Sequence, residues 1–148
     1  MSYTGLPQFI AATIGRLRGD AALAQLVTGV YDEVPSTARP DYIVVDAPIE
    51  TPDGTFGQNG HELTLVLSIV TRSPLAATGA GKAGFVVGLA IAERALALLT
   101  DLEGDPVAVD DHDVSDVSVV SVVCVRESDG LTRRVDVTIS ANLEDALA

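Results

Sequence analysis

The stretch that decides the fold is Leu17–Val45, LRGDAALAQLVTGVYDEVPSTARPDYIVV. It begins at the end of an amphipathic segment, Pro7 to about Arg18, in which Phe9, Ile10, Ile14 and Leu17 fall near one helical face. Gly19 weakens that helix, and Asp20 restarts it, because a carboxylate at this position can accept from the free amides of the next turn. The tripeptide Arg18-Gly19-Asp20 is therefore read as a helix break and cap rather than as an adhesion motif. Helix is predicted again for Ala21–Val27, with Thr28-Gly29 ending it. The period then changes. Val30–Val34 and Tyr42–Ala47 read as strands, and Pro35 and Pro40 bracket the loop between them.

Downstream, Ile49–Gly60 is rich in proline, glycine and turn residues, including Asp53-Gly54, and reads as a loop or the tip of a long hairpin. Glu62–Thr71 alternates: Leu63, Leu65, Leu67 and Ile69 face one way, which is a strand with a fully apolar face. Ser73–Gly81 is a loop. Lys82–Thr100 is the main helix, with Phe85, Leu89, Ala92, Leu96 and Leu99 on one stripe. Asp101–Asp113 reads as a solvated acidic loop. Val114–Arg126 and Thr132–Asn142 form a hairpin through Ser128-Asp129-Gly130, with Val135, Val137 and Ile139 facing the core and Arg134, Asp136, Thr138 and Ser140 facing out.

The order is α-β-β-β-α-β-β. Three strands in a row are incompatible with repeated βαβ units. The expectation is a single α+β domain over residues 1–148, a mixed and largely antiparallel sheet packed against two helices.

Composition narrows the function. The chain has 148 residues, enough for one domain with its own core, and is 47% hydrophobic with few aromatic residues. Its formal net charge is −12, with one lysine and scattered arginines. A surface of that sign does not grip nucleic acid or anionic membrane, both of which need clustered cations. The N-terminus lacks the basic and apolar regions of a signal peptide. The longest apolar run, Ala83–Ala92, is about half of a membrane span. A soluble protein of the cytoplasm is expected. Cys124, the only cysteine, lies in a valine-rich run and is expected to be a buried, inert thiol.

Candidate chemistry is sparse. Gly79-x-Gly81-x-x-Gly84 spells a dinucleotide fingerprint, but its first glycine follows the strand by several residues and no acidic strand end comes at the required distance. Gly81-Lys82 fails as a phosphate loop because Ala76 and Ala83 replace the glycine and hydroxyl that the pattern needs. Asp110-Asp111-His112-Asp113 lacks calcium-loop spacing. His61-Glu62 has no second histidine four residues on, and His112 has no partner pattern. No nucleophile elbow occurs. Neither catalysis, cofactor nor metal is expected.

The ordered pieces together resemble the tail terminator (tail completion) proteins of long-tailed bacteriophages, over about residues 9–143. They are the helix to Leu17, the Asp20 cap, the Leu23-x-x-Leu26-Val27 turn, Val30-Tyr31-Asp32, Pro40-Asp41-Tyr42-Ile43, the strand to Arg72, the helix to Leu99 and the Asp129-Gly130 hairpin. The acidic loop and the valine-rich Val117–Val125 are not features expected from that family.

The resemblance implies a structural virion protein of the head-proximal end of the tail, assembled in the host cell cytoplasm. It implies a hexameric ring with head-to-tail contacts that caps the tail tube and joins it to the head–neck complex. Its partners would be the tail tube protein and a connector or head-completion protein, with genomic DNA passing through an acidic lumen unbound. The residues expected at interfaces are Phe56, Arg72 and Arg134. Two other readings stay open: a different neck or head-completion connector, and a small nucleotide-binding domain using the Gly79–Gly84 loop.

Overall fold

The computed structural model describes residues 4–52, 60–72, 85–101, 104 and 106–145. Their order is α1 (Leu6–Arg18), α2 (Ala21–Ala24), β1 (Gly29–Tyr31), β2 (Tyr42–Pro52), β3 (Gly60–Arg72), α3 (Val86–Thr100), β4 (His112–Arg126) and β5 (Thr132–Asp145). The strands form one five-stranded sheet in the order β1-β2-β3-β5-β4. Only the β1–β2 pair is parallel. The α+β order and the mixed, largely antiparallel sheet are as the sequence predicts.

The helices cover one face of the sheet, α1 over β1 and β2 and α3 over β3, β5 and β4. On that face Leu63, Leu65, Leu67 and Ile69 of β3 meet Val135, Val137, Ile139, Ala141 and Leu143 of β5, all buried. The period-2 alternation of both segments thus specifies a single apolar plane. The long helix α3 sits close to it because Gly88 has no side chain: a Cβ there would lie 2.9 Å from Val135 Cγ2.

The α1–α2 break is built as its sequence implies. Gly19 ends α1, and Asp20 Oδ2 accepts from the Leu23 N–H at 2.8 Å. The same carboxylate receives the Arg94 guanidinium of α3 at 2.6 and 2.9 Å. One side chain therefore caps a helix and ties it to another. Arg94, ahead of the Leu23 amide, holds the Asp20 carboxyl down to about 2. At the end of α1, Arg18 donates to the Val30 carbonyl of β1 through two nitrogens, at 2.6 and 3.0 Å. At the β4–β5 turn Gly130 adopts φ +76°, and Asp129 accepts from the Leu131 and Thr132 amides at 2.8 and 2.7 Å.

Several expectations are corrected. Helix α2 stops at Ala24 rather than Val27, and β1 stops at Tyr31 rather than Val34. Strand β2 continues past Ala47 to Pro52. A register shift between Asp46 and Ile49, with Ala47 at φ 45°, absorbs Pro48, which cannot donate to the ladder, and pairing resumes at Ile49. The apolar stripe of α3 is rotated: Gly88, Ile91, Ala92, Ala95 and Leu99 are buried, while Leu89 is exposed. The segment before His112 is not simply a solvated loop, since Val107, Val109 and His112 are buried. Cys124 is exposed, in keeping with the place of β4 at the edge of the sheet. Lys82 and the Gly79–Gly84 loop lie outside the described residues, as does Phe56.

Two outcomes follow. Replacing Gly88 with Leu should destabilise the fold by roughly 1–3 kcal/mol or more through overpacking, measured by urea unfolding; an unchanged midpoint would refute the close approach. For Asp20, the folded pKa lies below the unfolded value, so its contribution is complete above about pH 4 and is lost as pH falls toward 2. The stability gap between wild type and Asp20→Asn should therefore be widest near neutrality and shrink steadily below pH 4.

Candidate functional site

Two places in the described structure gather groups that the core does not account for. The first is the uncovered side of the sheet together with the edge strand β4. On that side Tyr42 and Val44 of β2, Val66, Ser68 and Val70 of β3, and Arg134 and Asp136 of β5 lie in adjacent register. Arg134 donates to both Asp136 oxygens at 2.9 and 3.0 Å and also pairs with Glu127. Ser68 donates to Asp136 at 2.8 Å. Arg72 ends β3 on the same side, one paired position beyond Val70↔Arg134, and is exposed. The structure thus brings Arg72 and Arg134 together at the end of the sheet that carries the β4–β5 turn.

Beside them, β4 presents Val119, Val120, Val122 and Val123, all exposed, with Val120 at 62%. Register with β5 puts Val119 and Val122 on the helix side and Val123 on the other. Register shifts follow Val114 and Val119, which is one way an edge strand avoids indiscriminate pairing. The valine-rich composition predicts a buried strand, but composition carries no information on lateral position in the sheet.

The second place lies at the opposite end of the sheet. His61 at the start of β3 and His112 at the start of β4 flank Asp145 at the end of β5. The pairs His61↔Leu143 and His112↔Asp145 put all three on the helix side. Both histidines are buried. Nε2 of His61 is 2.8 Å and Nε2 of His112 3.2 Å from the same Asp145 oxygen, Oδ1. Behind the rings, His61 Nδ1 lies 3.5 Å from Glu50 Oε1, and His112 Nδ1 lies 2.7 Å from the Asp110 carbonyl oxygen. Glu50 Oε1 also accepts from the Gly5 N–H at 2.7 Å and the Thr4 hydroxyl at 3.1 Å. A Cβ on Gly5 would stand 3.4 Å from His112 Nε2, so the start of α1 closes directly over the ring.

The expectation that His61 and His112 have no partners is corrected: they are ring neighbours, 5.4 Å between centroids. Their separation in sequence hides this. The available signal is parity, since His61 shares the odd-numbered, inward positions of Leu63 to Ile69.

Comparison with known proteins supplies the context. A chain in the virion of a native gene transfer agent (GTA) particle is 25% identical, with a TM-score of 0.78, covering 97% of this chain and 99% of that one. The bacteriophage SPP1 gp17 protein shares the fold at 16% identity and a TM-score of 0.52, covering 96% of this chain and 93% of that one. No curated protein sequence matches. The family of tail completion protein gp17 matches residues 11–144, nearly the whole chain. That match places this chain in the tail completion protein gp17 family, structural components of phage-type tails.

Proposed function

We propose that the protein is a tail terminator, a hexameric ring at the head-proximal end of the tail tube that caps the tube and meets the head–neck complex. The observation that carries this reading is the likeness, end to end over both chains, to a component of an assembled virion particle. Physical features of this chain support it. An edge strand with four exposed valines is an aggregation hazard unless another chain covers it in a defined geometry. A head-to-tail contact that closes on itself does this for every copy and leaves no free edge. The fixed ion pairs around Arg134 sit next to this strand and give the contact a polar border.

Charge supports the passage of DNA. A ring of six carries six times the formal −12 of each chain. A lumen of that sign repels phosphate, so DNA traverses it without adhering. The tail tube protein on one side and a connector or head-completion protein on the other are the proposed partners. Phe56 is proposed as an apolar anchor for one of these contacts, and Arg72 as a cation at the subunit border.

Native mass spectrometry at micromolar concentration, with tail tubes added where needed, should show hexamers. A chain that stays monomeric and never caps tubes in electron micrographs would remove the reading. Val120→Asp with Val123→Asp should abolish the hexamer while leaving the melting temperature within a few degrees, since exposed positions contribute little to the core. Replacing residues 53–59, including Phe56, with a short Gly-Ser turn should also preserve stability, because closure entropy varies slowly with loop length. The same variant should weaken ring formation or capping; normal assembly would release Phe56 from that role.

A further inference from the structure

At the end of the sheet two buried imidazoles converge on one carboxylate oxygen. A neutral imidazole carries one N–H and one lone pair. In both rings Nδ1 faces an oxygen acceptor, Glu50 Oε1 for His61 and the Asp110 carbonyl for His112. In both rings Nε2 faces Asp145 Oδ1. A neutral ring can therefore donate on only one of its two sides. If each Nδ1 holds its proton, two lone pairs converge on a carboxylate, an arrangement that repels unless a cation stands between them.

We propose that His61 Nε2, His112 Nε2 and Asp145 form a binding site for a divalent transition-metal ion, with zinc the best match. The donor set of two imidazoles and one carboxylate suits zinc's borderline character. The three residues each direct a ligand atom within 4.8 Å of the others. Two ligands of a tetrahedral zinc lie roughly 3.3 Å apart, from bond lengths near 2.0–2.2 Å. The observed 2.8 and 3.2 Å need an opening of about half an ångström or less.

The surroundings are those of metal-bound histidines. With metal on Nε2, each ring would turn its Nδ1–H toward an oxygen, His112 to the Asp110 carbonyl at 2.7 Å and His61 toward Glu50 at 3.5 Å, an arrangement that would set the tautomer and aim Nε2. Glu50 is held in turn by Gly5 and Thr4, so the first turn of α1 belongs to the same network. The charges balance: a dication meets Asp145 and Glu50. The fourth position falls to water. Bound metal would join the ends of β3, β4 and β5, adding to the terminal ladder bonds and to the first turn of α1 packed there. It is a structural clamp on one end of the sheet and needs no ring for its formation.

The test uses the full chain, stripped with a chelator and titrated with zinc chloride. A Cys124→Ser background removes the exposed thiol as a competing ligand. Saturable binding of one zinc per chain is expected, with a rise of several degrees in melting temperature. Cobalt(II) should give the visible ligand-field bands of a tetrahedral site, and nitrogen-15 NMR of the zinc form should place the remaining ring protons on Nδ1. His61→Gln and Asp145→Asn should each weaken binding about a hundredfold or more. Glu50→Gln should weaken it by roughly 10–100-fold with the stoichiometry retained. Absence of one-to-one zinc binding by the wild-type residues overturns the proposal, whatever the variants do. So does binding that survives both His61→Gln and Asp145→Asn. Neither result bears on hexamer formation, which is read separately by native mass spectrometry.

Discussion

Everything else in this molecule rests on one apolar plane, the helix-side face of β3 and β5. These are the two central partners with the longest uninterrupted ladder, and their inward residues are aliphatic from Leu63 to Ile69 and from Val135 to Leu143. Burial of such a plane requires a cover, and the cover must come close. Gly88 is what lets α3 do so, its missing side chain leaving room for Val135. Helix α1 packs mainly over β1 and β2, and two polar links help to place it: Arg18 to the Val30 carbonyl, and Arg94 to Asp20, the cap of α2 that follows it. Hydrophobic burial sets the layer; the charged hydrogen bonds set where the layer's parts lie along it.

Covering one face leaves the other. The same alternation that fills the core puts Ser68, Arg134 and Asp136 on the open side, where they pair with each other rather than with a second layer of helices. Strand β4 is also an edge, and Val119, Val120, Val122 and Val123 stand exposed on both of its sides. In a monomer these features would be a liability. In the proposed ring they would be the surface that a neighbour matches.

The strands were legible because side-chain period is a local property. Leu63 to Ile69 and Val135 to Ile139 announce their face by alternation alone, and Asp129-Gly130 announces its turn by chemistry. What was illegible depends on lateral neighbours. Pro48 looks like a strand end, yet the ladder resumes beyond it because β3 supplies a partner that a bulge can reach. Cys124 looks buried because valine surrounds it in sequence, yet strand order puts it at the rim. The buried stripe of α3 lies part of a turn from the one its large residues predict, since Gly88, Ala92 and Ala95 lie inward beside Ile91 and Leu99, and Leu89 lies outward. His61 and His112 are separated along the chain and joined only by the pairing of β3 and β4 with β5. Of the residues expected at an interface, Arg72 and Arg134 prove to be neighbours on one face, a relation that register alone reveals.

The acidity of the chain constrains how such a surface can work. At −12 per copy, like charges oppose association at every distance shorter than the screening length, roughly 8–10 Å at physiological salt. Two copies can meet stably only where the contact is apolar or where carboxylates already have partners. The exposed stretch of β4 supplies the first: four valines, with Ser121 between them and no ionisable group from Ser118 to Val123. The neighbouring end of β5 supplies the second, because Glu127, Asp136 and Asp129 are each engaged by Arg134 or by turn donors. Carboxylates without such partners, such as the exposed Asp113 and Asp116, lie toward the other end of β4. For the proposed ring, charge and hydropathy would therefore favour the same end of the sheet for contact and leave the remaining acidic surface to keep unrelated molecules, DNA included, at a distance.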